Sequence, residues 1–181
     1  MSEAQATLAA PRLGRVVLSE TAIQERVAAM AAEVSRDYGP RRPLILPVLN
    51  GAVPFARDLC RHLRIAHDFD LLGIARYPGR TSRERARVTL RPATPLQGRD
   101  VLLVEDIVDT GLTLYYLLGV LAAQAPASLR VISLLERPEL RLADLRLDYV
   151  GFQVSEAYLV GYGLDFDDRF RGLPYIAELE W

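Results

Sequence analysis

A parallel α/β sheet with helices on its faces is the fold this sequence predicts. Three observations carry that expectation. Short, largely apolar runs recur at 43–49, 101–104 and 129–135, the length of buried strands rather than helices. Between them lie stretches whose apolar residues recur at helical intervals, and strands alternating with helices give a parallel sheet. Finally, VLLVEDIVDTGLT at 101–113 runs from apolar residues into acids, a small-residue loop and a helix. Open α/β sheets bind their ligands at such strand ends.

The elements follow in order. Residues 1–14 are expected to be a loose arm. Ser19 is placed to cap a helix over 20–38, which Gly39-Pro40 ends. PLILPVL at 43–49 is the first strand, Asn50-Gly51 a turn, and a helix follows over roughly 53–64. A second strand covers about 69–77. Residues 78–98, PGRTSRERARVTLRPATPLQG, are rich in Arg and Pro, with a weak strand near Val88–Leu90. A segment of this length predicts a mobile functional flap. Next come a strand at 100–106, a helix at 111–124 and a strand at 129–135. The tail is short, strand-like and rich in Tyr, Phe and Gly. The whole, 1–181, reads as one domain: a core over about 40–145 and a small hood from about 15–39 and 146–181.

Composition bounds the function. The 181 residues suffice for one sizeable core, and a net charge of −1 does not suggest a nucleic-acid or membrane surface. All 22 basic residues are Arg, so no lysine is present to act as phosphate ligand or base. Cys60 is the one cysteine, which excludes a disulfide within the chain and predicts a buried structural thiol. No stretch approaches a membrane-spanning length, and a reducing cytoplasm is the expected location.

The chemistry concentrates at 105–113. A small-residue loop at a helix N-terminus cradles phosphate on backbone N–H groups, and Thr110, Gly111 and Thr113 supply hydroxyls and open backbone. Glu105 and Asp106 would repel that phosphate unless they hold sugar hydroxyls or a hydrated Mg²⁺. A phosphorylated sugar is therefore the expected ligand. Asp109 fits two roles, a helix cap or a reacting group. Tyr158–Asp165, YLVGYGLD, fits either a packed terminal strand or an aromatic platform for a flat ring. His62 and His67 are isolated and receive no role.

The run 101–113 resembles the signature of the type I phosphoribosyltransferases, and the match is closest to their hypoxanthine-guanine branch. The resemblance covers about 19–175 and includes VLNGAVPFARDL (48–59), VISLLERP (131–138), DYVGF (148–152) and AYLVGYGLDFDDRFRGLPYI (157–176). It implies transfer of a phosphoribosyl group from phosphoribosyl pyrophosphate to hypoxanthine or guanine, with Mg²⁺, in a homodimer or homotetramer. Residue by residue, Glu105 and Asp106 match the acids that hold the ribose, and Asp109 the base near purine N7. Asp109, Thr110, Gly111, Leu112 and Thr113 match the 5′-phosphate loop. Leu49, Asn50 and Gly51 match the pyrophosphate loop, where the family often has a cis peptide. Arg171 matches a pyrophosphate contact. Arg137, Tyr158, Leu159 and Asp165 match the purine end, and Glu105, Asp106 and Asp165 are the candidate Mg²⁺ ligands.

Three departures stand out. The family flap usually starts with Ser-Tyr-Gly and carries a later Ser-Ser-Gly. Here the sequence has Arg76-Tyr77-Pro78-Gly79 and Thr81-Ser82-Arg83, so only Tyr77 keeps the pattern. Arg137 stands where the family has the Lys that reads the purine 6-oxo group. Asn50 stands where many relatives have a Lys or another residue. The altered flap leaves room for a second reading, a regulator of the same fold that binds phosphoribosyl pyrophosphate or nucleotide without catalysis.

Overall fold

The structure is a computed structural model and describes residues 11–75 and 87–181. The flap expected at 78–98 is thus described only from Arg87 on. Tyr77, Pro78 and the Thr81-Ser82-Arg83 segment lie outside the described residues.

In chain order the elements are β1 (Arg12–Leu18), α1 (Glu20–Tyr38), β2 (Leu44–Leu49), α2 (Val53–His62), β3 (Asp68–Phe69), β4 (Leu72–Ala75) and β5 (Arg87–Leu90). They continue with β6 (Asp100–Val108), α3 (Leu112–Ala122), β7 (Ser128–Glu136), β8 (Tyr149–Gln153), β9 (Leu159–Val160) and β10 (Ile176–Glu180). The large sheet has the order β5-β4-β2-β6-β7-β8, with β3 beside β2. Its pairings are parallel except β4 with β5.

Strand alternation divides the core between the two faces of this sheet. Ile45, Leu102, Val104, Ile132 and Leu134 pack with Ile23, Val27 and Met30 of α1 and Phe55 and Leu59 of α2. Leu44, Leu46, Val101, Leu103 and Val131 pack with Leu114, Leu117 and Leu121 of α3. Both faces being covered explains why the central strands read as unbroken apolar runs. The cap of α1 forms as its sequence predicts: Ser19 Oγ accepts from Ala22 N–H at 3.2 Å, and Gly39 N–H closes the far end on Ser35 O at 3.0 Å.

The structure differs from the sequence reading in three places. The strand expected at about 69–77 is split into β3 and β4. Asp70 sits between them: its N–H still donates to Ile45 O of β2 at 3.2 Å, and its carboxylate accepts from Leu71 N–H and Thr94 N–H, both at 2.8 Å, so Leu71 N–H is turned to this side chain. The loose arm expected up to residue 14 gives way to a strand from Arg12. β1 joins a separate antiparallel sheet, β1-β10-β9. Its partner is far along the chain, so no local pattern announces it; Arg15 meets Glu178, 163 residues on, across the pair at 2.8 Å. Two elements of the stretches expected as hood also meet the large sheet. α1 buries its apolar stripe with α2 against the large sheet, and β8 joins that sheet beside β7.

Candidate active site

The C-terminal ends of β2, β6 and β7 open into a cleft of about 390 Å³. Its walls include Leu49, Asn50, Gly51, Glu105, Asp106, Asp109, Thr113, Arg137, Tyr158, Leu159, Asp165 and Arg171. Residues from four separated segments therefore meet at one place. Thr110, Gly111 and Leu112 do not line it; they form the turn at its edge.

At the end of β2 the Leu49–Asn50 peptide is cis. Gly51 follows, and a Cβ there would sit 1.6 Å from Asp106 Oδ2. Only glycine lets the turn come this close to the acid. Asp106 is fixed from its other oxygen, Oδ1, which accepts from Ile107 N–H at 2.8 Å. Glu105 is buried beside it. β6 runs on past both acids, because Ile107 and Val108 still pair with Leu135 and Glu136 of β7.

The turn after β6 bears on one of the two roles open to Asp109, the helix cap. Gly111 is the N-cap of α3, in the left-handed conformation at φ 78°, and no side chain caps the helix end. Thr110 Oγ1 accepts from Leu112 N–H at 3.4 Å, a long bond. Asp109 is therefore not the cap. Its Oδ1 instead accepts from Arg137 Nη1 at 3.0 Å.

Arg137 reaches this position from the end of β7. Its Nε donates to Ser155 O at 2.9 Å and its Nη2 donates to Ala157 O. All three nitrogens of the fork are thus engaged, and the side chain is largely buried. Next to it Tyr158 presents an exposed ring, whose hydroxyl donates to Asp165 O at 3.2 Å. Partial burial and the carboxylates of Asp165 and Asp167 push its phenol above the ordinary range, so it is neutral at pH 7. Phe166 packs edge-on to the Tyr158 ring at 5.7 Å between centroids.

The far wall is the tail loop. Arg171 Nη2 pairs with Asp165 Oδ1 at 2.8 Å, and Arg171 Nη1 donates to Gly163 O at 2.8 Å. Asp165 Oδ2 accepts from Asp168 N–H at 2.8 Å.

The model of the phosphoribosyl transferase domain matches residues 17–167 of this chain. The chain belongs to the phosphoribosyltransferase family. Its relatives include the hypoxanthine-guanine phosphoribosyltransferase of Bacillus subtilis (strain 168), 39% identical over 92% of this chain and 93% of that protein. The hypoxanthine-guanine-xanthine phosphoribosyltransferase of Tritrichomonas foetus is 40% identical over 93% of this chain and 92% of its own. A crystal structure of a hypoxanthine-guanine phosphoribosyltransferase from Bacillus anthracis, with HEPES in its active site, superposes with a TM-score of 0.89. That pair shares 31% identity over 95% of this chain and 100% of the other. The fold is the type I phosphoribosyltransferase fold, in agreement with the sequence resemblance.

Three features of this phosphoribosyltransferase went unseen in its sequence. Val48, Ile74, Ile107 and Leu164 add apolar lining to the cleft. For Ile107 a signal existed, since it lies between the acids and Asp109 on one short segment. The expected Mg²⁺ ligands do not form a ready-made cage: among the described residues no three acids, histidines or cysteines converge on one point. A buried carboxylate, Asp58, stands behind the tail loop with Gln24, Arg57 and Tyr162 around it, linking α1, α2 and the tail. Cys60, expected buried, is half-buried, and that burial pushes its thiol up to about 11. No helix among the described residues is long and apolar enough to cross a membrane.

Proposed function

We propose that this phosphoribosyltransferase is a cytoplasmic purine-salvage enzyme. It transfers the 5-phosphoribosyl group from phosphoribosyl pyrophosphate to hypoxanthine, and also to guanine, giving IMP or GMP and pyrophosphate. The observation that carries the proposal is the meeting of Asp109, Arg137 and Tyr158 in the same cleft as Glu105, Asp106 and the 49–51 turn. A purine site and a sugar-pyrophosphate site are thereby joined. The names of the relatives point the same way.

In this reading the 5′-phosphate lies on the backbone of 109–113, where the α3 dipole contributes about 0.3–1 kcal/mol. Glu105 and Asp106 hold the ribose hydroxyls. The purine stacks on Tyr158, Leu159 backbone meets its edge, and Arg137 donates to its 6-oxo group. The C1′–O bond to pyrophosphate breaks as purine N9 bonds to C1′, and the proton on N7 passes to Asp109. The acids beside the sugar stabilise the positive charge that develops on the ribose ring. Arg171 and the 49–51 backbone receive the departing pyrophosphate.

Mg²⁺ fits this donor set. It keeps several waters and takes one or two carboxylates plus substrate phosphates, so an all-protein cage is not required. Asp165 would hold it on the pyrophosphate side, with Glu105 and Asp106 on the ribose side. Bound there, it supplies Lewis-acid neutralisation of the pyrophosphate charge.

The proposal includes self-association of the chain as a homodimer or homotetramer. Leu112, Tyr115 and Tyr116 support it: they are exposed together on α3, a helix without a charged residue.

The test is direct. Purified protein is mixed with Mg²⁺, phosphoribosyl pyrophosphate and hypoxanthine, guanine or xanthine in turn, and nucleotide is measured. Product is expected with the first two and is lost on chelation of the metal. No product with any base sinks the enzyme reading and favours a binder of the same fold. Asp109→Ala is expected to lower kcat by about 10²–10⁴ with little change in affinity for phosphoribosyl pyrophosphate.

A further inference from the structure

The tail loop that brings Asp165 and Arg171 to the cleft is seated on a carboxylate outside it. Asp58 lies on α2 and is 3% exposed. Its Oδ2 accepts from Gln24 Nε2 at 2.9 Å, Arg57 Nη2 at 3.0 Å and the Tyr162 hydroxyl at 2.8 Å. Its Oδ1 accepts from Arg57 Nε at 2.8 Å. Burial alone pushes this carboxyl up; the bonds from Arg57, Gln24 and Tyr162 outweigh it and hold the group below the usual range. Asp58 is thus an anion with its bonds already made, and it touches nothing in the cleft directly.

Tyr162 occupies an unusual backbone position. Its φ is 48°, between Gly161 at 101° and Gly163 at 100°. Its N–H donates to Leu173 O at 2.8 Å, and its buried ring runs down to α2. The next residue, Gly163, presses on the opposite wall: a Cβ there would lie 2.0 Å from Gly51 O. Gly163 O also receives Arg171 Nη1. A single hydrogen bond to Asp58 therefore sits under the point where the tail loop meets the 49–51 turn.

Stability alone does not ask for this arrangement. A buried anion pays a desolvation penalty, and apolar side chains of the same volume often serve the core as well. What the carboxylate adds is direction. The base end of the cleft has bonds of its own, from Arg137 to Ser155 O and Ala157 O, besides the one from the Tyr158 hydroxyl to Asp165 O on the tail loop.

We infer that Asp58 and Tyr162 are a positioning pair, whose hydrogen bond sets the tail loop against the 49–51 turn and so fixes the pyrophosphate end of the cleft without touching substrate. The inference rests on the function proposed above. It separates the two substrates: loosening the pair acts on phosphoribosyl pyrophosphate and spares the purine.

Tyr162→Phe keeps the ring and removes one hydroxyl. It is expected to raise KM for phosphoribosyl pyrophosphate about tenfold, the loss of one charge-assisted hydrogen bond. KM for hypoxanthine is expected to stay within about twofold. Calorimetry with pyrophosphate and Mg²⁺ is expected to show the same tenfold weakening. Asp58→Asn is expected to act in the same direction, and the double variant to be no worse than the more affected single one. Equal rises in both KM values, a lower Tm with both KM values unchanged, or additive effects of the two changes would each overturn the pair. If the wild-type protein forms no nucleotide, the proposed function fails, and the pyrophosphate titration still decides whether the pair positions that end of the cleft.

Discussion

Arg137 shows what one guanidinium does that an ammonium does not. Its planar fork reaches Asp109 and the carbonyls of Ser155 and Ala157 together, joining the end of β6 to the segment that leads into β9. Arg137→Lys offers one donor group in place of three fixed directions. It is expected to leave at least one carbonyl unpaired, to cost about 1–2 kcal/mol and to lower Tm. It should also change KM for the purine more than KM for phosphoribosyl pyrophosphate. An unchanged Tm with unchanged purine KM would show that the fork is dispensable. At this scale the sequence is legible where residues are adjacent and opaque where the fold joins them. Glu105, Asp106 and Asp109 lie within five positions and announce a site. Asp109 and Arg137 are 28 positions apart, and Tyr162 and Asp58 are 104 apart. The same limit left the cap role open to Asp109, until Gly111 proved to be the N-cap and the Asp109 carboxylate turned to Arg137.

The elements divide by how locally they are held. α1, α2, α3 and the central strands bury their own periodic apolar residues, and periodicity is written in the chain. β1 and β9 are held by pairing across the small sheet, and that is not written locally. The turn at 161–163 is intermediate: two glycines mark it, but the contacts they permit are distant or non-adjacent, Gly161 with Tyr175 O and Gly163 with Gly51 O of the 49–51 turn. Gly163→Ala puts a Cβ into the space of Gly51 O at a φ of 100°, so it is strained in conformation and contact alike. The expected loss is about 1–3 kcal/mol with turnover down at least tenfold. Gly172→Ala, with nothing within 4 Å of its Cβ, is the control and is expected to be near neutral. Chemical denaturation and initial rates on both variants provide the comparison. Comparable losses at 163 and 172 would mean that the Gly51 contact has no special weight.

At the scale of the whole molecule, the sheet presents its strand ends to the cleft, and the small sheet supplies one wall from the other end of the chain. The α/β alternation made the first part predictable; the second depends on a return of the chain that composition does not encode. The outer face of α3 remains uncovered, with Leu112, Tyr115 and Tyr116 exposed on it. Sedimentation is expected to give a dimer or tetramer, and Tyr115→Glu to shift it toward monomer by burying a charge at the contact. A wild-type protein that sediments as a monomer at micromolar concentration would refute the assembly. The pairing of β1 with β10 also imposes a timetable on biosynthesis. β1 leaves the ribosome well before β10 and must wait for it before this pairing can form. A nascent chain that stops after β8 would carry Glu105 and Asp106 with neither Tyr158 nor Asp165 beside them. The wall of the cleft that carries Tyr158 and Asp165 and the partner strand of β1 are thus supplied by one stretch, 158–180.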